Sequence, residues 1–266
     1  MTITVHPFFE PTSGSFSFIV ANPESKCCAI IDAALGMELA RHAVNTDRAD
    51  QMLDWIAAHG YVVRWILETH IHADRPSASG YLKSKLLCAQ TATGRGHPQI
   101  QGYDRLLQEG DILALGHASG RVIATPGHTP WSVSYQFSNA VFVGNTLLMP
   151  DSGTARCDLA GGCARELYHS IQRLLDLPGD ARLFVSYDGN HSGRRPQYFA
   201  TVNCQRTHNV YLASAASVES FVALRQDKDA ALMPPRWQSV AVPANLRCMN
   251  LCDVQSLVLQ WANASG

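Results

Sequence analysis

The chain reads as a layered α/β protein. Three observations predict that class. Short β-branched and aromatic runs of strand length recur through most of the sequence. Amphipathic segments with a 3.6-residue period are interleaved among them. Hydrophobic residues are 46% of 266 and charged residues only 16%, so a sizeable core can form without staples.

Residues 15–20, 27–32 and 61–68 read as strands. Between the last two, a helix is expected over 47–59. Thr46 or Asp47 caps it, Met52, Leu53 and Ile56 share one face, and Gly60 ends it. Further strands are expected at 121–125, 132–137 and 140–144. A second helix over 164–176 carries Leu167, Ile171, Leu174 and Leu175 at helical spacing. A strand at 183–186 follows, then helices over 201–213 and 217–226. About the last 40 residues show weak periodicity. No repeat, low-complexity tract or Pro/Ser-rich linker divides the chain, so residues 1–266 are expected to form one domain.

Charge and cysteine content exclude several classes. Lys and Arg number 21 against 22 Asp and Glu, a net charge of -1, so no basic field would draw nucleic acid or an anionic membrane. No apolar stretch approaches the ~20 residues of a membrane helix. The start, MTITVHPFFEP, lacks the basic and apolar regions of a signal peptide, and a cytoplasmic location is expected. The eight cysteines form no CxxC pair, and most of them read as small buried hydrophobes in a reducing compartment.

The eleven histidines matter for their positions. The strand WILETH runs into HIHAD, bringing His70, His72 and Asp74 together, and alternation in extended chain would put all three on one side. His128 follows in the turn-rich TPGHTP, after another strand. A strand-end HxHxD followed by a strand-end PGHT is a far stronger metal-site signal than HxH alone.

These strings resemble the metallo-β-lactamase superfamily, and within it the persulfide dioxygenases and their β-lactamase-like hydrolase relatives. The segments carrying the likeness are ETHIHADRPSASGYL, ATPGHTPWSVSY, VFVGNTLLMPDSGTARCDLAGGCARELYHSIQRLLDLP and ARLFVSYD, and it extends over about residues 3–226. The resemblance implies an αββα sandwich. Asp32 matches an early strand-end aspartate of the family. Four positions depart from the pattern: Arg75 stands for the last His of HxHxDH, Asn145 for the GD aspartate, Tyr187 for the final His, and Cys163 for the Asp of GGDA. Gly189 replaces a subgroup tyrosine, and His191 is a substitute-ligand candidate.

Of the four second-metal ligands only Asp74 survives, so a two-metal hydrolase is not expected. Arg75 could supply the charge of the missing metal. The resemblance implies one Fe(II) on His70, His128 and Asn145, with open positions for substrate and oxygen. His72 and Asp74 would orient those ligands. His70, His72 and His128 around Zn(II) form a competing set. Arg156 and Asp158 fall where the subgroup binds the glutathione part of its substrate, and an ion pair in a surface loop is the plain alternative. The expected function is oxidation of a small-molecule thiol persulfide, such as glutathione persulfide, to sulfite. A glyoxalase II-type zinc thioester hydrolase and a homologue with an impaired site remain open. The expected partner is that thiol or persulfide, and a homodimer is the candidate assembly.

Overall fold

A computed structural model describes residues 2–189, 193–214 and 217–265. Two six-stranded sheets stack face to face beneath outer helices, so the layering is αββα, as expected. The first sheet contains, in spatial order, β1 (Thr4–Glu10), β2 (Ser15–Asn22), β3 (Cys27–Ile31), β6 (Val62–Leu67), β7 (Gln90–Gly94) and β8 (Arg105–Leu107). A small hairpin of β4 (Gly36–Glu38) and β5 (Ala43–Asn45) lies between β3 and β6 in the chain. The second sheet runs β14 (Phe199–Thr201), β13 (Arg182–Val185), β12 (Ala140–Gly144), β11 (Val133–Phe137), β10 (Ala118–Ala124) and β9 (Ile112–Leu115). β3 and β6 are parallel, as are β12 and β13, so each pair ends on one shared edge.

Period-two alternation sorts the core. In β2, Phe16, Phe18 and Val20 face the second sheet and pack among Trp65, Tyr135, Phe137, Phe142 and Phe184. Ile19 and Ala21 face outward onto α1 (Asp47–Ala58) and α2 (Ser79–Lys85), where Met52, Ile56 and Leu82 cover them. On the other side, Val141, Val143, Leu183 and Val185 meet Leu167, Ile171 and Leu174 of α3 (Ala164–Leu175). Each buried Val, Leu, Ile, Met or Phe among these stabilises by roughly 1.5–3 kcal/mol.

Several elements differ from expectation for identifiable reasons. β1 carries Pro7 and half-buried side chains, as an edge strand can, and so lacks clear alternation. The expected helix over 201–213 is two helices, α4 (Val202–His208) and α5 (Val210–Ser214). Asn209 between them takes extended backbone, and its buried amide donates to Gly153 O at 3.0 Å and Gln205 Oε1 at 2.8 Å. α6 (Val218–Ala230) starts on the expected Ser217, which forms a capping box with Ser220. Thr46 precedes α1, but its hydroxyl donates to Asp50 Oδ2 at 2.6 Å rather than capping the backbone. Gly60 ends that turn at φ +66°. The aperiodic C-terminal stretch forms α7 (Gln238–Leu246) and α8 (Leu251–Ser265), whose Ala244 and Val254 join the layer outside the first sheet. Among the described residues, no helix is long and apolar enough to cross a membrane.

Candidate metal centre

The sequence motifs gather where the parallel strand pairs end. β3 delivers Asp32, β6 leads into Glu68, Thr69 and His70, β12 ends at Gly144 before Asn145, and β13 leads into Ser186 and Tyr187. His128 comes from the loop between β10 and β11. Gly144 adopts φ +56°, and a Cβ there would lie 2.4 Å from Thr69 Oγ1, so only glycine lets Asn145 approach His70. Asp32 holds a left-handed φ of +52°, an unusual conformation for a non-glycine residue. Its carboxylate accepts from Thr69 N at 2.7 Å, Thr69 Oγ1 at 2.8 Å and Ser186 Oγ at 2.5 Å. That network sustains the strained backbone and joins the two sheets.

Hydrogen bonding fixes the proton on each ring. Thr69 donates its hydroxyl to Asp32, so the oxygen accepts from His70 Nδ1–H at 2.9 Å, leaving Nε2 as a lone pair. His128 Nδ1–H donates to Arg156 O at 2.7 Å, which also leaves its Nε2 as a lone pair. The His70 and His128 rings lie 4.9 Å apart at 80°, and His128 Nε2 is 3.5 Å from the Asn145 amide nitrogen. His70 Nε2 and Asn145 Oδ1 are buried without a hydrogen-bond partner. Orphaned buried acceptors of this kind call for an occupant. Two imidazole nitrogens oriented from behind and an amide oxygen fit a single metal ion.

His72 is turned differently. Its ring lies 4.0 Å from that of His70, but Nε2 faces Asp32 Oδ1 at 3.4 Å and Glu68 Oε2 at 3.3 Å. Among the described residues, Asp32, Glu68 and His72 form the set of three His, Cys, Asp or Glu side chains whose ligand atoms lie within 4.8 Å of one another. The three histidines form no such set. Asp32 already accepts three hydrogen bonds, and Glu68 Oε1 accepts from Ser77 at 2.5 Å and Ser79 at 2.6 Å, while Glu68 Oε2 is buried without a hydrogen-bond partner and faces His72. These carboxylates therefore orient His72 more readily than they bind a cation.

Electrostatics separate the rings. Burial, with the charges of His72, His128 and Arg75, pushes His70 well below the ordinary histidine range. Burial lowers His128 as well, against the opposing pull of the Arg156 carbonyl and Asp74. Both rings are thus neutral at pH 7. Burial and Arg75 also work to lower His72, but the Asp32 and Glu68 carboxylates outweigh them and raise it. Burial opposes ionisation of Asp74, yet the Arg75 guanidinium, with Nη1 3.2 Å from Asp74 Oδ2, and His72 hold it below the usual carboxylate range.

A cavity of about 690 Å³ opens beside the centre, lined among others by Asp74, Arg75, His128, Asn145, Tyr187 and Arg156. Arg156 and Asp158 pair with each other at 2.5 and 2.6 Å, and Arg156 also donates to Met233 O. Asp188 is buried and bound to Arg194, away from the cavity lining. Cys163 is exposed at the start of α3. His191 lies outside the described residues. Sequence reasoning missed Asn245 of α7, which is fully buried. Its Oδ1 accepts from Ser77 N at 2.7 Å, and its Nδ2 donates to His72 O at 2.8 Å and Arg75 O at 2.9 Å. No local pattern marks it.

An αββα sandwich with a histidine-rich centre at its strand ends defines the class of metal-dependent enzymes built on this scaffold. No protein-family model matches the chain. It is 38% identical over 277 residues to a probable metallo-hydrolase of Burkholderia pseudomallei, covering 94% of each chain. It is 31% identical over 251 residues to the mitochondrial persulfide dioxygenase ETHE1 of Homo sapiens, covering 92% of this chain and 89% of that one. A β-lactamase hydrolase-like protein of Agrobacterium fabrum is 40% identical over 260 residues, of whose length the chain spans 60%. The crystal structure of ETHE1 from Myxococcus xanthus superposes with a TM-score of 0.79 at 27% identity, covering 92% of this chain and 99% of that one. The chain belongs to the metallo-β-lactamase superfamily.

Proposed function

We propose that this protein is a mononuclear iron enzyme that oxidises a low-molecular-weight thiol persulfide to sulfite and free thiol. The observation that carries the reading is the donor set. His70 Nε2 and Asn145 Oδ1 are buried and unpartnered, with His128 Nε2 beside them and a ligand-sized cavity in front. Two histidines and one oxygen suit Fe(II) with open positions. Similarity to the human persulfide dioxygenase supports the same chemistry. The balanced reaction is RSSH + O2 + H2O → RSH + SO3²⁻ + 2H⁺, in which the outer sulfur gives up four electrons to dioxygen.

Bound iron would supply the open-shell chemistry through which dioxygen reacts with a closed-shell sulfur. The residues of the chain prepare and protect that step. Thr69 and the Arg156 carbonyl hold the imidazoles in the ligating tautomer, and Asp32 holds Thr69. Burial keeps His70 and His128 neutral. The His72 ring, its Nδ1 3.9 Å from the ionised Asp74, is placed to take up a released proton.

Asn145 favours a second reading. Its neutral oxygen lacks the charge of a carboxylate, a weaker match for Fe(II), which leaves room for zinc and hydrolysis of a thioester. Iron-loaded protein should consume oxygen and form sulfite with glutathione persulfide. An iron-occupied protein without oxygen uptake would refute the dioxygenase. Thiol release from S-lactoylglutathione by the zinc form would establish the hydrolase, and silence in both assays would mark a homologue with an impaired centre.

A further inference from the structure

Arg75 is a fully buried guanidinium with too few partners. It is 1% exposed and is the bulkiest of the completely buried side chains. Nη1 reaches Asp74 Oδ2 at 3.2 Å, while Nη2 is buried with no partner at all. Its one carboxylate is itself 37% exposed on the cavity wall, so water weakens the pair. A guanidinium carries five donors and stays protonated at every working pH. Leaving a buried charge this poorly compensated is costly unless a further anion arrives.

The other arginines lining the cavity are already engaged. Arg156 spends Nε and Nη2 on Asp158 and Nη1 on Met233 O. Arg225 spends Nη2 on Asp229 and Nη1 on Thr154 O. Arg75 therefore stands out among them, and it shares the cavity lining with His128, Asn145 and Tyr187. Burial and the charges of Asp74 and Asp188 keep the Tyr187 phenol protonated, which makes it a second donor on the same wall.

We propose that Arg75 is the anion-binding residue of the centre, its guanidinium holding the negatively charged sulfur group of the substrate beside the donor set. The identity of that anion as a persulfide rests on the function proposed above; the presence of an anion site does not. The cavity then selects an anionic sulfur compound over a neutral thioester of the same size.

Thiosulfate is a suitable probe because it carries a sulfur–sulfur bond and a double negative charge, and its binding needs no turnover. Calorimetric titration of the zinc-loaded and metal-free protein should show binding. Arg75→Met, which keeps the packing volume and removes the charge, should weaken it at least tenfold with metal content unchanged. Arg75→Lys should fall between the two. Undetectable binding to the parent, or affinity in Arg75→Met within twofold of the parent, would overturn the proposal. So would loss of thiosulfate binding that only follows loss of metal, since Arg75 would then support the metal alone. Thiosulfate binding that depends on Arg75 without oxygen uptake would retain the anion site and reject the dioxygenase.

Discussion

Replacing Asn245 by alanine should loosen the metal centre from behind, through a residue that touches none of the proposed ligands. The Asn245 amide holds three backbone groups of the 72–77 loop: His72 O at 2.8 Å, Arg75 O at 2.9 Å and Ser77 N at 2.7 Å. All lie in a buried region, so truncation strands two carbonyls and one N–H. Each lost bond of this kind costs about 1–3 kcal/mol, and water entering the space of the missing amide offsets part of the total. A loss of about 3–5 kcal/mol is expected, which for a chain of this size lowers Tm by roughly 5–9 °C. Because the same loop carries His72, Asp74 and Arg75 and begins just after His70, metal affinity should fall on the order of tenfold or more. Asn245→Asp separates the contributions: it keeps the acceptor for Ser77 N but turns a carboxylate towards two carbonyls. Urea unfolding of metal-free protein measures the first quantity and competition with a zinc chelator the second. Destabilisation below about 1 kcal/mol with unchanged zinc affinity would show that α7 does not hold the loop.

Asn145→Asp should raise iron occupancy at least tenfold, because a carboxylate adds a direct charge interaction of several kcal/mol at an effective dielectric of about 20; elemental analysis after anaerobic loading checks it, and equal occupancy would remove Asn145 from the donor set. Thr69→Val keeps the side-chain shape but deletes the hydroxyl that joins His70 to Asp32. Metal affinity should drop about 10–100-fold, measured by chelator competition, and an unchanged affinity would mean that His70 needs no such support. Stability of the metal-free protein should decrease as pH falls from 7.5 to 5.5. His70 and His128 have folded pKa values below the unfolded 6.5, so the unfolded chain takes up protons first across that window. The raised pKa of His72 acts in the opposite sense, its contribution building as pH falls towards 6.5 and complete below it, and it is opposed by the lowered values of His6 and His97 as well as those of His70 and His128. Urea midpoints that rise on acidification would contradict this balance.

The layered fold and the motif-bearing loops were legible because their signals are local. Strand alternation and the α3 stripe each lie within a dozen residues, and HIHAD and PGHT are contiguous strings at strand ends. The orientation of His72 was not legible. Alternation assumes extended chain, but β6 ends at Leu67, and both histidines sit in irregular loop, where ring direction follows the carboxylates of Asp32 and Glu68. Asn245 carries no signal either, since its partners lie some 170 positions earlier. The Asn209 break looked like helix continuation because the carbonyl that captures its amide belongs to the distant Gly153. Arg156 shows another limit. Its side chain drew attention as a binding group, whereas its backbone carbonyl is what sets the His128 tautomer.

The bridge at Asp32 makes the centre a joint between two halves. Thr69 reaches this carboxylate from the first sheet and Ser186 from the second, while His70 comes from one half and His128 and Asn145 from the other. A chain whose halves have not docked cannot assemble the proposed donor set, so a bound metal ion would select the finished molecule from every partly folded form. At a free concentration a hundred times its dissociation constant, the ion would add about 2.7 kcal/mol to the cohesion of the two halves. Metal supply would then govern how long the protein survives as well as whether it works, and starvation for the ion would expose the seam between the sheets to proteolysis.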